Sequence, residues 1–271
     1  MPGAATATRP CRFALLAALP YEVRPFLRRI KARRRWGLGF PAWEFALGRE
    51  RGLVVLTGMG GDGALQAARR LLREERPAIL VSVGFGGALT PELTPGVLVL
   101  GASFWEYEAG RDLLTPAPTP LPPRELPELL ARLKEAGLAA WPGSLVTTPG
   151  IIKKERLGED WRGLARPVLD QESAMVARLA QAEGLAFLGL RAITDAWGEE
   201  IPEFIVRAGG NVGVRAALSW LAADPGRIRP LLHWWRRSRL AADRLARALM
   251  LLLPLLPAPG QELKEQPAQE G

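Results

Sequence analysis

The stretch from Val168 to Trp197, VLDQESAMVARLAQAEGLAFLGLRAITDAW, limits the fold more than any other. Leu185 to Ile193 is apolar at nearly every position, the pattern of a parallel strand covered on both faces. Such a strand requires helices on both sides of its sheet. The helix before it is legible too. Asp170 can cap it by accepting from the free N–H groups of the first turn, and Glu172 falls at the positive end of its dipole. Met175, Val176 and Leu179 follow Glu172 at i+3, i+4 and i+7, so the four share one inward face. An ionised carboxylate on such a face is costly without partners. Glu172 therefore has two readings, a charge that helps the helix start or a carboxylate held in a pocket to grip hydroxyl groups. Thr194 and Asp195 come directly after the strand, and open α/β sheets bind ligands beyond the carboxyl ends of their strands. Asp195 is either a turn residue or part of a site.

Two motifs here, Gln171-Glu172-Ser173 and Arg191-Ala192-Ile193-Thr194-Asp195, resemble the nucleoside phosphorylase and nucleosidase superfamily. In that superfamily a helix opening in ME(S/A) precedes a strand ending in RA(I/V)SD. The chain is most similar to the branch containing methylthioadenosine/S-adenosylhomocysteine nucleosidase. Within it the resemblance is closest to the hopanoid-associated enzymes that remove adenine from adenosylhopane. It runs from Arg12 into the 240s. It implies an α/β fold, a single three-layer domain with a central mixed, twisted sheet flanked by helices, here joined to a basic amphipathic C-terminal helix. The expected divisions are a flexible leader (1–11), the α/β domain (12–225), a basic apolar helical extension (226–257) and a disordered tail (258–271).

Composition narrows the chemistry. A chain of 271 residues, 48% of them hydrophobic, can bury a sizeable core. With one cysteine, Cys11, no internal disulfide can form, which fits a reducing cytoplasm. One cysteine and one histidine argue against a zinc site. The net charge of +8 suggests an anionic partner, and no nucleic-acid motif selects nucleic acid. Apolar Phe13 to Leu19 follows Arg9 and Arg12 and reads better as a first buried strand than as a signal peptide. No stretch reaches the roughly 20 apolar residues that span a bilayer.

In chain order, strand one leads through Pro20-Tyr21-Glu22-Val23 into a basic helix expected to reach about Arg35. Trp43 to Leu47 and Leu53 to Leu56 read as a hairpin pair. The glycine-rich run Thr57 to Gly63 precedes a helix to Glu75; such a turn can aim backbone N–H groups at an anion, or be purely structural. The strand Ala78 to Val83 ends in a Gly84-Phe85-Gly86-Gly87-Ala88 loop, and a strand follows Pro95-Gly96. Pro116 to Pro123 is a connector, Glu125 to about Ala136 a helix, and Ser144 to Thr148 a short strand. Trp197 to Pro202 reads as a loop shaping the far end of the pocket, and Val212 to Ala223 as a helix.

The resemblance assigns roles. It implies that Asp195 is the acid that protonates N7 of a departing adenine. Glu172 grips the ribose hydroxyls beside Gln171, and Glu22, matching the last Glu of an EEEV-like segment, activates water. The 84–88 loop matches a G(S/T)AGG-type loop that passes beneath the ribose. Phe85 replaces a small hydroxyl residue there, as in the apolar hopanoid branch, and Val97 replaces a usual Asp. The segment Thr147–Ile152 lacks the aromatic that often stacks on the base, so Ile152 or Phe85, beside Gly86, would cover it. For a phosphorylase, phosphate is the co-substrate and Arg24 and Arg28 are the candidate cations; no other cofactor and no metal is implied. The expected partners are a small nucleoside and a second copy of the chain, without nucleic acid. The basic, Trp- and Leu-bearing tail (Arg236, Arg237, Arg239, Trp234, Trp235, Leu240, Leu245, Leu249, Leu252) could lie in a membrane interface or dock on its own domain. The expected location is the cytoplasm, with peripheral contact at the inner membrane surface in the first case. Two rival functions stand: a methylthioadenosine/S-adenosylhomocysteine nucleosidase, and a non-catalytic nucleotide binder of the same family.

Overall fold

A computed structural model describes residues 10–111, 113–119, 125–152, 154, 161, 163–199 and 228–256. The chain runs β1 (Cys11–Ala17), α1 (Pro20–Arg29), β2 (Arg33–Arg35), β3 (Ala42–Leu47), β4 (Glu50–Leu56), α2 (Gly61–Glu75) and β5 (Ile79–Ala88). It continues through β6 (Leu98–Glu108), β7 (Leu113–Ala117), α3 (Glu125–Glu135), β8 (Ala140–Thr147), β9 (Val168–Asp170), α4 (Ser173–Ala182), β10 (Ala186–Asp195) and α5 (Ile228–Leu252).

The strands form one mixed sheet in the order β10-β6-β8-β9-β5-β1-β4-β3-β2, with β7 beside β6. Because β10 also pairs with β5, one part of the sheet closes on itself. β1, β5 and β10 are parallel neighbours, so their carboxyl ends meet at one place. One face carries Leu15, Val54, Val81 and Leu190 against Val23 and Phe26 of α1, Leu129 and Leu133 of α3, and Leu245 and Leu249 of α5. The other carries Leu16, Val55, Leu80 and Val99 against Ala67 and Leu71 of α2 and Val176 and Ala180 of α4. This is the expected arrangement of helices on both faces of a mixed sheet.

Several expectations change. Strand one begins at Cys11, inside the expected leader. Helix α1 stops at Arg29 rather than near Arg35. Lys31 turns to φ 54°, and the Ala32 and Lys31 amides donate back to Leu27 O (2.9 Å) and Arg28 O (3.3 Å), which closes the helix end. Arg33–Arg35 then pairs antiparallel with β3. The glycine-rich segment after Val83 is not a loop: β5 continues through Ala88, because Gly87 pairs with Asp195 and Ala88 with Val168. Pro116, expected in a connector, lies on β7, the antiparallel partner of β6. The expected 212–223 helix, the leader through residue 9, the last residue of the expected extension (257) and the expected tail (258–271) fall outside the described residues.

The C-terminal helix docks on its own domain. Ala241, Leu245, Ala246, Leu249 and Leu252 are buried, so three of the four leucines expected to supply apolar surface belong to the core. Leu232, Trp235 and Leu240 stay exposed. Among the described residues no helix is long and apolar enough to cross a membrane.

Candidate active site

The carboxyl ends of β1, β5 and β10 open into a pocket of about 890 Å³, including its mouth. Glu22, Glu172 and Asp195 all line it, from three separate elements.

Glu22 is the third residue of α1. Its Oε2 accepts from the Leu19 amide at 2.8 Å, and its Oε1 from the Phe85 amide at 3.0 Å on β5. It is therefore both the helix-start residue its position suggests and a buried pocket wall. Burial raises its pKa, and the Leu19 and Phe85 amides oppose that rise only in part. Gly84 makes room, since a Cβ there would lie 2.8 Å from Glu22 Oε1.

Glu172 is the N-cap of α4 rather than a residue of its first turn. Asp170 supplies the capping bonds: its Oδ1 accepts from the Glu172 amide (3.1 Å), the Ser173 amide (3.2 Å) and the Thr147 hydroxyl (2.7 Å). Glu172 Oε1 accepts from the Gly60 amide at 3.0 Å. The glycine-rich turn thus spends an N–H on the protein's own carboxylate. Burial pushes the Glu172 pKa up to about 7, aided by Asp170 and Glu22 and opposed by Arg191. The Arg191 guanidinium lies behind it, 3.7 Å from Oε2, and donates to Ser82 Oγ (2.8 Å) and Ser173 Oγ (2.9 Å).

Asp195 closes β10. Its Oδ1 accepts from the Thr194 hydroxyl at 3.0 Å, and its Oδ2 lies 2.7 Å from Lys154 Nζ. Burial raises its pKa while Lys154 and the Thr194 hydroxyl pull the other way. A carboxyl that holds its proton more readily than usual suits an acid, and a buried carboxylate on two backbone amides suits a base.

Gln171, Phe85, Gly86 and Ile152 also line the pocket, with Met59 and Ile151. Arg24 and Arg28 do not. They lie in a separate groove between α1 and α5, beside Trp235, Arg236 and Arg239. Trp197, expected at the far end of the pocket, is exposed outside its lining. Lys154, Tyr21 and Trp234 are among the lining residues that escaped the sequence reading. Lys154 lies between β8 and β9, in a stretch whose sequence carries no periodic signal. Tyr21 and Trp234 bring the aromatic surface sought in the 147–152 loop: Tyr21 packs on Phe85 (centroids 5.6 Å) and meets Trp234 of α5 edge-on (6.2 Å). Nothing in the sequence alone ties residue 234 to residue 21. Among the described residues no group of three or more His, Cys, Asp or Glu side chains could hold a metal.

Three acidic side chains, from the start of α1, the N-cap of α4 and the end of β10, meet with aromatic side chains in one pocket and define an α/β enzyme whose pocket can both donate and withdraw a proton. The chain belongs to the phosphorylase superfamily, whose family model matches residues 12–216. Among solved structures it is similar to futalosine hydrolase of Helicobacter pylori (13% identity, TM-score 0.68, covering 91% of this chain and 98% of that one). It is likewise similar to the 5′-methylthioadenosine/S-adenosylhomocysteine nucleosidases of Helicobacter pylori (13%, 0.68, 92% and 100%) and Neisseria meningitidis (15%, 0.67, 90% and 99%). No curated protein sequence matches the chain.

Proposed function

We propose that the protein hydrolyses the N-glycosidic bond of an adenine nucleoside bearing a large apolar 5′ substituent. The observation that carries this reading is the single pocket shared by Glu22, Glu172 and Asp195. Departure of the base leaves an oxocarbenium-like ribose, so the site must stabilise positive charge on the sugar and protonate the base. Asp195, whose burial raises its pKa above the ordinary carboxylate range, delivers the proton to N7. Glu172 accepts from the ribose hydroxyls, and its charge favours the cation. Glu22 takes a proton from the attacking water. Water is favoured over phosphate as nucleophile because the only cationic side chain among the described lining residues, Lys154, is paired with Asp195. A phosphate dianion beside Glu22 and Glu172 would meet two carboxyl groups instead.

The 5′ substituent is read from the apolar part of the lining. Tyr21, Phe85, Trp234, Ile151 and Ile152 supply it, which suits a hydrocarbon group. Adenosylhopane fits that description. Tyr21 and Trp234 are shared with the adjoining groove, which carries Arg24, Arg28, Arg29, Arg236 and Arg239 against one acid, Asp243. With Trp235 and Leu240 exposed, this groove favours an anionic membrane surface, where a lipid-like substrate would reside. Deleting α5 would remove core, so the membrane test uses surface changes. Arg236→Glu with Arg239→Glu and Trp235→Ser should abolish co-sedimentation with anionic liposomes; unchanged binding would sink the membrane reading.

The catalytic reading is tested by adenine release from methylthioadenosine and from a 5′-alkyl-adenosine with a bulky hydrocarbon, with and without phosphate. Phosphate-independent release from the alkyl substrate is expected. Release from methylthioadenosine alone would favour the ordinary nucleosidase. No release from either would favour a nucleotide-binding role.

A further inference from the structure

We propose that Lys154 is the positioning residue of the acid: its ammonium group, 2.7 Å from Asp195 Oδ2, aims that carboxyl into the pocket and sets the pH range over which it gives up its proton. The inference deepens the reading of Asp195 as proton donor and rests on it.

The two side chains are each only 10% exposed, and both line the pocket. They come from unrelated parts of the chain, Asp195 from the end of β10 and Lys154 from the segment after β8. Lys154 Nζ also donates to the Ala196 carbonyl at 2.8 Å. The ammonium therefore grips both the acid and the backbone of the next residue, and its own segment is thereby tied to the end of β10. Gly87 completes the cradle, since a Cβ there would stand 2.6 Å from Asp195 Oδ2 and 3.5 Å from Lys154 Cε. On the other oxygen, the Thr194 hydroxyl fixes the rotation of the carboxyl.

The chemistry gives the pair a purpose. A buried aspartate with no cation nearby holds its proton so tightly that it becomes a poor acid. A fully exposed one has lost its proton at neutral pH. An acid works best when its pKa lies near the working pH, and a cation at contact distance moves a buried carboxyl back toward that range. Among the described residues the other charged groups around Asp195 are few. Glu199 follows β10 and opposes Lys154, but it is held by Arg237 of α5 and has His233 near it. β5 presents glycines at Gly86 and Gly87, and Glu22 and Glu172 stand elsewhere on the pocket wall. Lys154 is thus the one cation in direct contact with the acid among the described residues. In turnover Asp195 gives its proton to N7 as the glycosidic bond breaks. The carboxylate formed then faces an ammonium already in place, so no solvent need rearrange to receive the new charge.

The test combines two readouts. The aspartate carboxyls of labelled protein are titrated by carbon-13 NMR, with Asp195→Asn identifying the resonance, and kcat/KM is followed against pH. Both are measured for the wild type, Lys154→Met and Lys154→Arg. In the Met variant the Asp195 titration and the alkaline limb should both move up by about one pH unit or more, because the carboxylate has lost its cation. The rate below that limb should fall about tenfold, because a weaker acid protonates the base less well. Arginine keeps the charge and should keep the limb near its wild-type position. An Asp195 titration unmoved in a Met variant of wild-type Tm would overturn the proposal and leave Lys154 as an anchor on Ala196. If the Met variant does not fold, Lys154→Gln gives the same comparison. If the wild type releases no adenine, the NMR titration alone still decides whether Lys154 sets the acidity of Asp195.

Discussion

The Arg191 guanidinium, the largest fully buried side chain of the described residues, lies 3.1 Å from Asp170 Oδ2 and binds the two strand-and-helix corners of the pocket together. It also contacts Ser82 on β5, Ser173 on α4 and the Glu172 carboxylate. Removing this cation would leave Asp170, wholly buried, and Glu172 without their counter-charge. Arg191→Met should therefore destabilise the fold by about 3–5 kcal/mol, measured by urea unfolding. Asp170→Asn in the same chain should recover part of that loss, because one of the stranded charges is then gone. A single Arg191→Met change that unfolds at the wild-type midpoint would contradict the account.

Asp195→Asn should leave the fold intact, since the amide can still accept from Thr194 and pair backbone-to-backbone with Gly87. The amide cannot donate an acidic proton. Turnover should fall by about 10²–10⁴-fold while affinity for an uncleavable nucleoside analogue changes little. A binder that does no chemistry would show neither the initial rate nor its loss.

Glu172 predicts a pH dependence of stability. Its folded pKa, about 7, is above its ordinary value of 4.5, so the folded chain holds a proton that the unfolded chain has already released. Stability therefore falls as pH rises from about 4.5 to about 7, and the deficit persists above that. Glu172→Gln keeps an acceptor for the Gly60 amide and removes the buried charge. At pH 8 this variant should be more stable than the wild type by up to about 3 kcal/mol, and the difference should shrink toward pH 5. It should also lose activity, since the neutral amide does not favour a cationic ribose. Parallel thermal unfolding across that pH range checks the sign.

The parts of the site that were legible in the sequence are those whose position follows from periodicity and strand ends. Asp195 ends an apolar strand, Glu172 opens a helix whose inward face is apolar, and Glu22 sits at a strand-to-helix junction. What escaped is what depends on three-dimensional closure. Lys154 reaches Asp195 from a stretch between β8 and β9 with no periodic sequence signal, and α5 presents Trp234 to Tyr21 because its Leu245–Leu249 face is core. The early end of α1 was also hidden, because the left-handed turn falls on Lys31 rather than on a glycine or asparagine. The extension of β5 through three glycines reads as a loop by composition. It is a strand because it pairs with β10 and β9, and its glycines leave the space that Glu22 and Asp195 occupy.

That space gives a sharp test. Gly87 faces Asp195, and an added Cβ would come within 2.6 Å of Oδ2. Gly87→Ala should displace the Asp195 carboxyl, lower kcat by about 10²-fold and leave secondary structure unchanged, because a misplaced reacting group loses rate steeply. Adding Asp195→Asn to Gly87→Ala should cost little further, since both changes remove the same acid. Full additivity of the two losses would show that Gly87 acts elsewhere.

Trp234 separates recognition of the 5′ group from the chemistry. It is half-buried on α5, meets Tyr21 edge-on and lines the pocket, and no hydrogen bond or ion pair ties it to Asp195, Glu22 or Glu172 among the described residues. Truncating it removes an aromatic wall worth about 1–3 kcal/mol when fully covered by an apolar ligand. Trp234→Ala should raise KM for a bulky 5′-alkyl-adenosine by about tenfold or more and leave its kcat nearly unchanged. Methylthioadenosine, whose 5′ group is small, should show little change in either constant, so the preference between the two substrates narrows. Equal losses on both substrates would mean that Trp234 supports the pocket as a whole. A loss confined to kcat would mean that α5 orients the acid rather than the tail.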